Sequence, residues 1–118
     1  MNVENAVFMD VNDAMTRLGN NKKLYAMLLN KFDGKSMLDD LKKKLRSGDV
    51  PASAAQAHTI KGLAANLSLK DLREKSETVE LIIKSGAYPD TDTMDTSEIE
   101  RSVEYTLAAV KEWIGQNT

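Results

Sequence analysis

Ser53-Ala-Ala-Gln-Ala-His-Thr-Ile-Lys-Gly-Leu-Ala-Ala-Asn-Leu67 is the stretch around which the chain is organised. It holds His58, the single histidine of the sequence. Its alanines, interspersed with Ile60, Leu63 and Leu67, read as helix. Pro51 suits the first helical position, and Gly48-Asp49 before it can turn the chain and cap the helix.

On a helical wheel of roughly 100° per residue, Ile60, Leu63, Ala64 and Leu67 fall on one side. His58 falls on the other, with Ala54, Ala55, Lys61, Gly62 and Ala65. The imidazole should therefore stand on the solvent face, on a shelf of small residues. A lone helical histidine is most often inert, either in a core or on a plain surface. The wheel disfavours the core, and a plain surface leaves Gly62 unexplained. An exposed glycine inside a helix costs about 1 kcal/mol relative to alanine. One turn after a histidine, it makes sense if something large must approach the ring.

His58-Thr-Ile-Lys61-Gly62, followed by Ala64-Ala65-Asn66-Leu67, resembles the signature of histidine-containing phosphotransfer (HPt) domains, about H-T-x-K-G-x-x-x-x-x-G. Ser47-Gly48-Asp49 upstream, Leu72, Val79 and Glu80 downstream, and the early Leu28, Leu29 and Phe32 also match. The resemblance runs from about Phe8 to Leu81. It departs at Ser68, where the family usually has glycine. That position ends the histidine helix, so the departure concerns the local turn and not the chemistry.

The chain of 118 residues fits one domain, and 1–118 is read as a single HPt-like helical domain. Without cysteine it has no disulfide framework and no thiolate metal site. A net charge of −2 argues against an electrostatic nucleic-acid binder. No apolar run approaches the ~20 residues of a membrane span, and the N-terminus lacks a signal pattern. The expectation is a soluble cytoplasmic protein that binds neither nucleic acid nor membrane.

Residues 1–9 read as loosely ordered. Asp10 caps a short helix with apolar Val11, Ala14, Met15 and Leu18, ended by Gly19-Asn20 and packed as a lid. A long helix follows, about Asn21 to Leu45, with a stripe of Leu24, Met27, Leu28, Phe32, Leu38, Leu41 and Leu45. Asp33-Gly34-Lys35 interrupts that pattern, and Gly34 can bend the helix. Lys42, Lys43, Lys44 and Arg46 favour its C-terminus electrostatically or attract an acidic partner. After the histidine helix, another runs from Leu69 to about Lys84 on Leu69, Leu72, Ser76, Val79 and Ile83. Ser85-Gly86 stops it. Residues 87–96 are a polar loop without regular structure. Ser97-Glu-Ile-Glu100 opens the last helix as a capping box. Ile99, Val103, Thr106, Leu107, Val110, Trp113 and Ile114 form its stripe. The fold class is all-α, an antiparallel up-down four-helix bundle with a short extra N-terminal helix.

Catalytic constellations are scarce. The chain lacks a glycine-rich phosphate loop, a kinase motif and enough ligands for structural zinc. It therefore has no means of binding ATP or phosphorylating itself. One nucleophilic imidazole remains, suited to neutral pH by a reference pKa of about 6.5. The HPt resemblance implies that His58 accepts a phosphoryl group from a receiver aspartate of a response regulator and passes it to another receiver. The partner, free or part of a hybrid sensor histidine kinase, supplies Mg²⁺. The chain itself needs no cofactor or metal and works as a monomer. Lys61 pairs with phosphoryl oxygens, Gly62 leaves room for the partner, and Glu80 accepts a hydrogen bond from the other ring nitrogen. Lys84, one turn beyond Glu80, is a further phosphate or partner contact. The alternatives are a non-catalytic helical adaptor and a structural or dimerisation bundle.

Overall fold

The structure is a computed structural model that describes residues 6–117. Residues 1–5, most of the segment expected to be loosely ordered, lie outside the described residues. Six α-helices follow: α1 (Val11–Arg17), α2 (Lys22–Lys31), α3 (Gly34–Ser47), α4 (Val50–Asn66), α5 (Lys70–Ser85) and α6 (Ser97–Gln116). No strand occurs among the described residues. Helices α3 to α6 form the four-helix bundle: α4 packs on α3 and α5, and α6 packs on α5 and closes back on α3. The short α1 and α2 cover one end.

The histidine helix α4 is central. Asp49 caps it by accepting a hydrogen bond from the Ala52 N–H. Val50 takes the first helical position and Pro51 the second, one place later than expected. Its inward stripe is Ser53, Ala57, Ile60 and Ala64, none more than 1% exposed. Three of the four are small, which lets α5 approach closely, and α4 and α5 share the most extensive contact in the molecule. Two positions differ from the wheel. Ala54 is buried against this seam, and Leu63 is exposed, because the stripe leans toward α5 more than Leu63 and Leu67 suggested.

The expected long helix is two helices. Phe32 adopts an extended conformation, and Asp33 caps α3 through the Ser36 N–H. Gly34 sits beneath the Phe32 ring, where a Cβ would stand 2.9 Å from Cε2. The break resets the helical phase. A stripe running back unbroken from Leu45, Leu41 and Leu38 reaches Met27 and Leu24. In α2 the buried residues are instead Tyr25, Ala26 and Leu29, and Met27 is exposed. Tyr25 stacks edge-on against Trp113, with ring centroids 5.1 Å apart. Its hydroxyl donates to the Leu67 carbonyl at 2.7 Å.

Phe8 and Met9 are anchored rather than loose, while Val7 is exposed. Met9 is fully buried, and Phe8 meets Tyr105 edge-on. The segment 87–96 contains a short 3-10 turn, Thr91–Thr93. The Thr91 hydroxyl donates to the Leu45 carbonyl, which holds this turn on the end of α3. The expected capping box does not form. Thr96, not Ser97, takes the N-cap of α6, and its hydroxyl donates to Glu100. Glu100 also receives Lys42 at 2.8 Å, while Lys44 donates to Gln56. These two lysines tie α3 to α6 and α4, beyond any effect on their own helix terminus.

Ser68 forms the turn after α4 in the left-handed conformation, at φ 58°. For a non-glycine residue that conformation costs roughly 1–2 kcal/mol. Its side chain offsets the strain: Oγ donates to Asp13 at 2.6 Å and accepts from Arg17 at 2.7 Å. Arg17 also donates to the Ala65 and Asn66 carbonyls, satisfying the open end of the helix. Ser68→Gly exchanges bonds for relief of strain and should stay within about 1 kcal/mol of the parent in urea unfolding. Ser68→Ala keeps the strain and loses both bonds, so it should fall by about 2 kcal/mol. A Ser68→Ala protein as stable as the parent would show that the side-chain bonds contribute nothing.

Candidate functional site

His58 stands midway along α4 with its side chain 67% exposed. Ala55 and Gly62, one turn to either side, are exposed and small. A Cβ placed on Gly62 would meet nothing within 4 Å. No packing demand explains this glycine, and the space beside the ring is open, as the wheel indicated.

Beneath the ring lies Glu80. The α5 stripe of Leu72, Ser76, Val79 and Ile83 turns Glu80 inward toward α4, where its side chain is 5% exposed. A carboxylate so far from water needs partners, and it has three. His58 Nδ1 lies 3.1 Å from Oε2 and 3.3 Å from Oε1. Lys84 Nζ lies 2.7 Å from Oε2, and Lys61 Nζ 2.9 Å from Oε1. The Lys84 ammonium, then the Lys61 ammonium, hold the Glu80 carboxyl down at about 2, outweighing the opposing effect of its burial. Glu80 is thus ionised at any pH near neutral and can only accept hydrogen bonds. The tautomer follows: Nδ1 carries the proton and Nε2 keeps its lone pair.

The structure therefore brings together His58, Lys61, Glu80 and Lys84, with Gly62 alongside. It differs from the sequence reading in the partner of the two lysines. Both ammonium groups rest on Glu80, which links the cations to the ring through one buried carboxylate. Val50, Pro51 and Thr59, not among the site residues expected from the sequence, extend the shallow groove beside His58 toward the start of α4. The only signal for them was their spacing on the helix. Among the described residues, no group of three or more acidic or histidine side chains is placed to hold a metal ion.

The Glu80 carboxyl titrates near 2 when folded, against an ordinary 4.5. A depressed carboxyl pKa favours the folded state above the ordinary value, and that contribution is lost as pH falls through the folded value. Glu80→Gln removes it. The stability difference between parent and Glu80→Gln should accordingly shrink from about pH 5 to about pH 2, measured by denaturant unfolding. A difference that stays constant over this range would mean that Glu80 gains nothing from its cations.

No curated protein and no solved structure matches the chain. The family model of the Hpt domain matches residues 31–113, which span α3 to α6 and every residue of this site. The match begins later than the resemblance seen in the sequence and runs on into α6, to Trp113. Hpt domains serve histidine phosphotransfer in phosphorelays and interact with response-regulator receivers. With well over half its length covered by that model, the chain belongs to the Hpt domain family.

Proposed function

We propose that this protein is a phosphorelay intermediate in which His58 takes a phosphoryl group from a receiver aspartate and gives it to the aspartate of another receiver. The asymmetry of the His58 ring carries this reading. One nitrogen is tied to a buried carboxylate, and the other is left as a nucleophile on an exposed ring. In the transfer, the Nε2 lone pair forms a bond to phosphorus as the bond from phosphorus to the aspartyl oxygen breaks. The aspartate departs as a free carboxylate. Nδ1 keeps its proton against Glu80, so the phosphorylated ring starts out as an imidazolium beside a negative charge.

The remaining residues have supporting roles. Lys61 and Lys84 bring positive charge to the ring, and Lys61 can turn from Glu80 to phosphoryl oxygens. Gly62 clears the approach. The receiver, free or part of a hybrid sensor kinase, brings the Mg²⁺ and the groups that activate its own aspartyl phosphate. The chain acts as a cytoplasmic monomer and does not use ATP. No helix among the described residues is long and apolar enough to cross a membrane.

The decisive experiment incubates the protein with a receiver domain phosphorylated on its aspartate. Phosphate should appear on His58 in acid-labile, base-stable form, and ATP with Mg²⁺ alone should give none. His58→Gln should abolish acceptance and change stability by no more than about 0.5 kcal/mol, as an exposed substitution does. Binding of a receiver without transfer would indicate a helical adaptor instead.

Gly62 separates folding from function. Gly62→Gln should be as stable as the parent or up to about 1 kcal/mol more so, because the helix gains and nothing clashes. It should slow transfer from a receiver much more than from phosphoramidate, a small donor that needs no docking. Equal slowing with both donors would mean that Gly62 protects the ring chemistry and not the approach of a partner.

A further inference from the structure

Glu80 Oε2 is shared by two donors. His58 Nδ1 reaches it from α4 and the Lys84 ammonium from one turn further along α5, at 3.1 and 2.7 Å. The two nitrogens are therefore within about 6 Å of each other, a range at which a unit charge shifts a proton equilibrium measurably even in water. Lys61 occupies the other oxygen. Glu77, three residues before Glu80, is exposed and forms no ion pair among the described residues. The charges around the ring are thus one carboxylate and two ammonium groups, a net of +1 before the ring itself titrates.

That balance matters because the two directions of transfer need different rings. Acceptance requires the Nε2 lone pair, and so a neutral imidazole. Release breaks the Nε2–phosphorus bond and returns the electron pair to Nε2. It runs best when Nδ1 bears a proton, since neutral imidazole then departs. A carboxylate at Nδ1 favours the protonated ring, and cations on that carboxylate oppose it. Resting on the role proposed for His58, we infer that Lys84 is a positioning residue that acts through Glu80: it resists protonation of the ring and biases His58 toward accepting phosphoryl groups over releasing them. Lys84 suits the task better than Lys61, because it shares the same oxygen as Nδ1, its own side chain is 60% exposed, and Lys61 still pairs with the buried Glu80 once it is removed.

The test compares the parent with Lys84→Met and Lys84→Arg. The His58 ring is titrated by nitrogen NMR in the unphosphorylated protein, with no receiver present. In Lys84→Met the midpoint should rise by about half a unit, and Lys84→Arg should follow the parent. Acceptance from phosphoramidate by Lys84→Met should then fall about threefold below the midpoint and be undiminished well above it. Phosphorylated His58 should hydrolyse faster in the same variant. An unmoved midpoint, with acceptance reduced equally at every pH, would overturn the inference and make Lys84 a direct phosphoryl contact. If no variant or parent takes up phosphate, the proposed function fails, and the titration midpoint alone still decides whether Lys84 acts on the ring.

Discussion

A carboxylate held between two helices, away from water, must be matched by positive charge or it will take up a proton or unfold its surroundings. Glu80 meets that requirement with Lys84 and Lys61, accepts a hydrogen bond from the His58 ring as well, and the rest of the site follows from it. Its fixed negative charge decides which ring nitrogen carries the proton. It also anchors two lysines at the mouth of the site that would otherwise sample many rotamers. Three contacts to one small group join α4 to α5 where the chemistry is expected, so the seam between these helices is both a structural joint and an electrostatic one.

The scaffold below is suited to holding that seam rigid. Ser53, Ala57 and Ala64 keep α4 close to α5, and Ile60 fills the interior between them. The face left over carries His58, Ala55 and Gly62, with little to obstruct an incoming surface. Two demands, close approach on one side and clearance on the other, account for the unusual run of small residues in a single helix.

Much of this was legible in the sequence. The wheel placed His58 outward because Ile60, Ala64 and Leu67 supply a one-sided apolar pattern, and α5 and α6 kept their spacing from end to end. What misled was continuity. The apolar spacing of α3 resumes in phase at Met27 and Leu24 beyond Asp33-Gly34-Lys35, so periodicity reads that interruption as a bend in one helix. Only the local chemistry of Asp33, as a cap, and the seat of Gly34 under Phe32 break it. The ion pair of Lys61 was illegible for a different reason. Helical spacing puts Lys84 one turn from Glu80 on the same helix, but does not show that this carboxylate, on the helix after that of Lys61, also lies within reach of the Lys61 ammonium. Ser68 was also opaque, because its tie to Asp13 and Arg17 spans about fifty residues of sequence.

The N-terminal segment reaches across the bundle to the last turn of α4. Arg17 takes two of its carbonyls, Tyr25 takes the Leu67 carbonyl, and Met9, Ala14 and Met15 join the common core. All of these lie before residue 31, outside the stretch that defines the family. The portion matched by the family model and the portion that shares one hydrophobic core therefore have different boundaries. A fragment trimmed to the shared portion would keep every residue of the site. It would nonetheless expose the open carbonyls at the end of the histidine helix and a face of the interior. In this molecule the segment ahead of the family match acts as the lid that completes its hydrophobic interior.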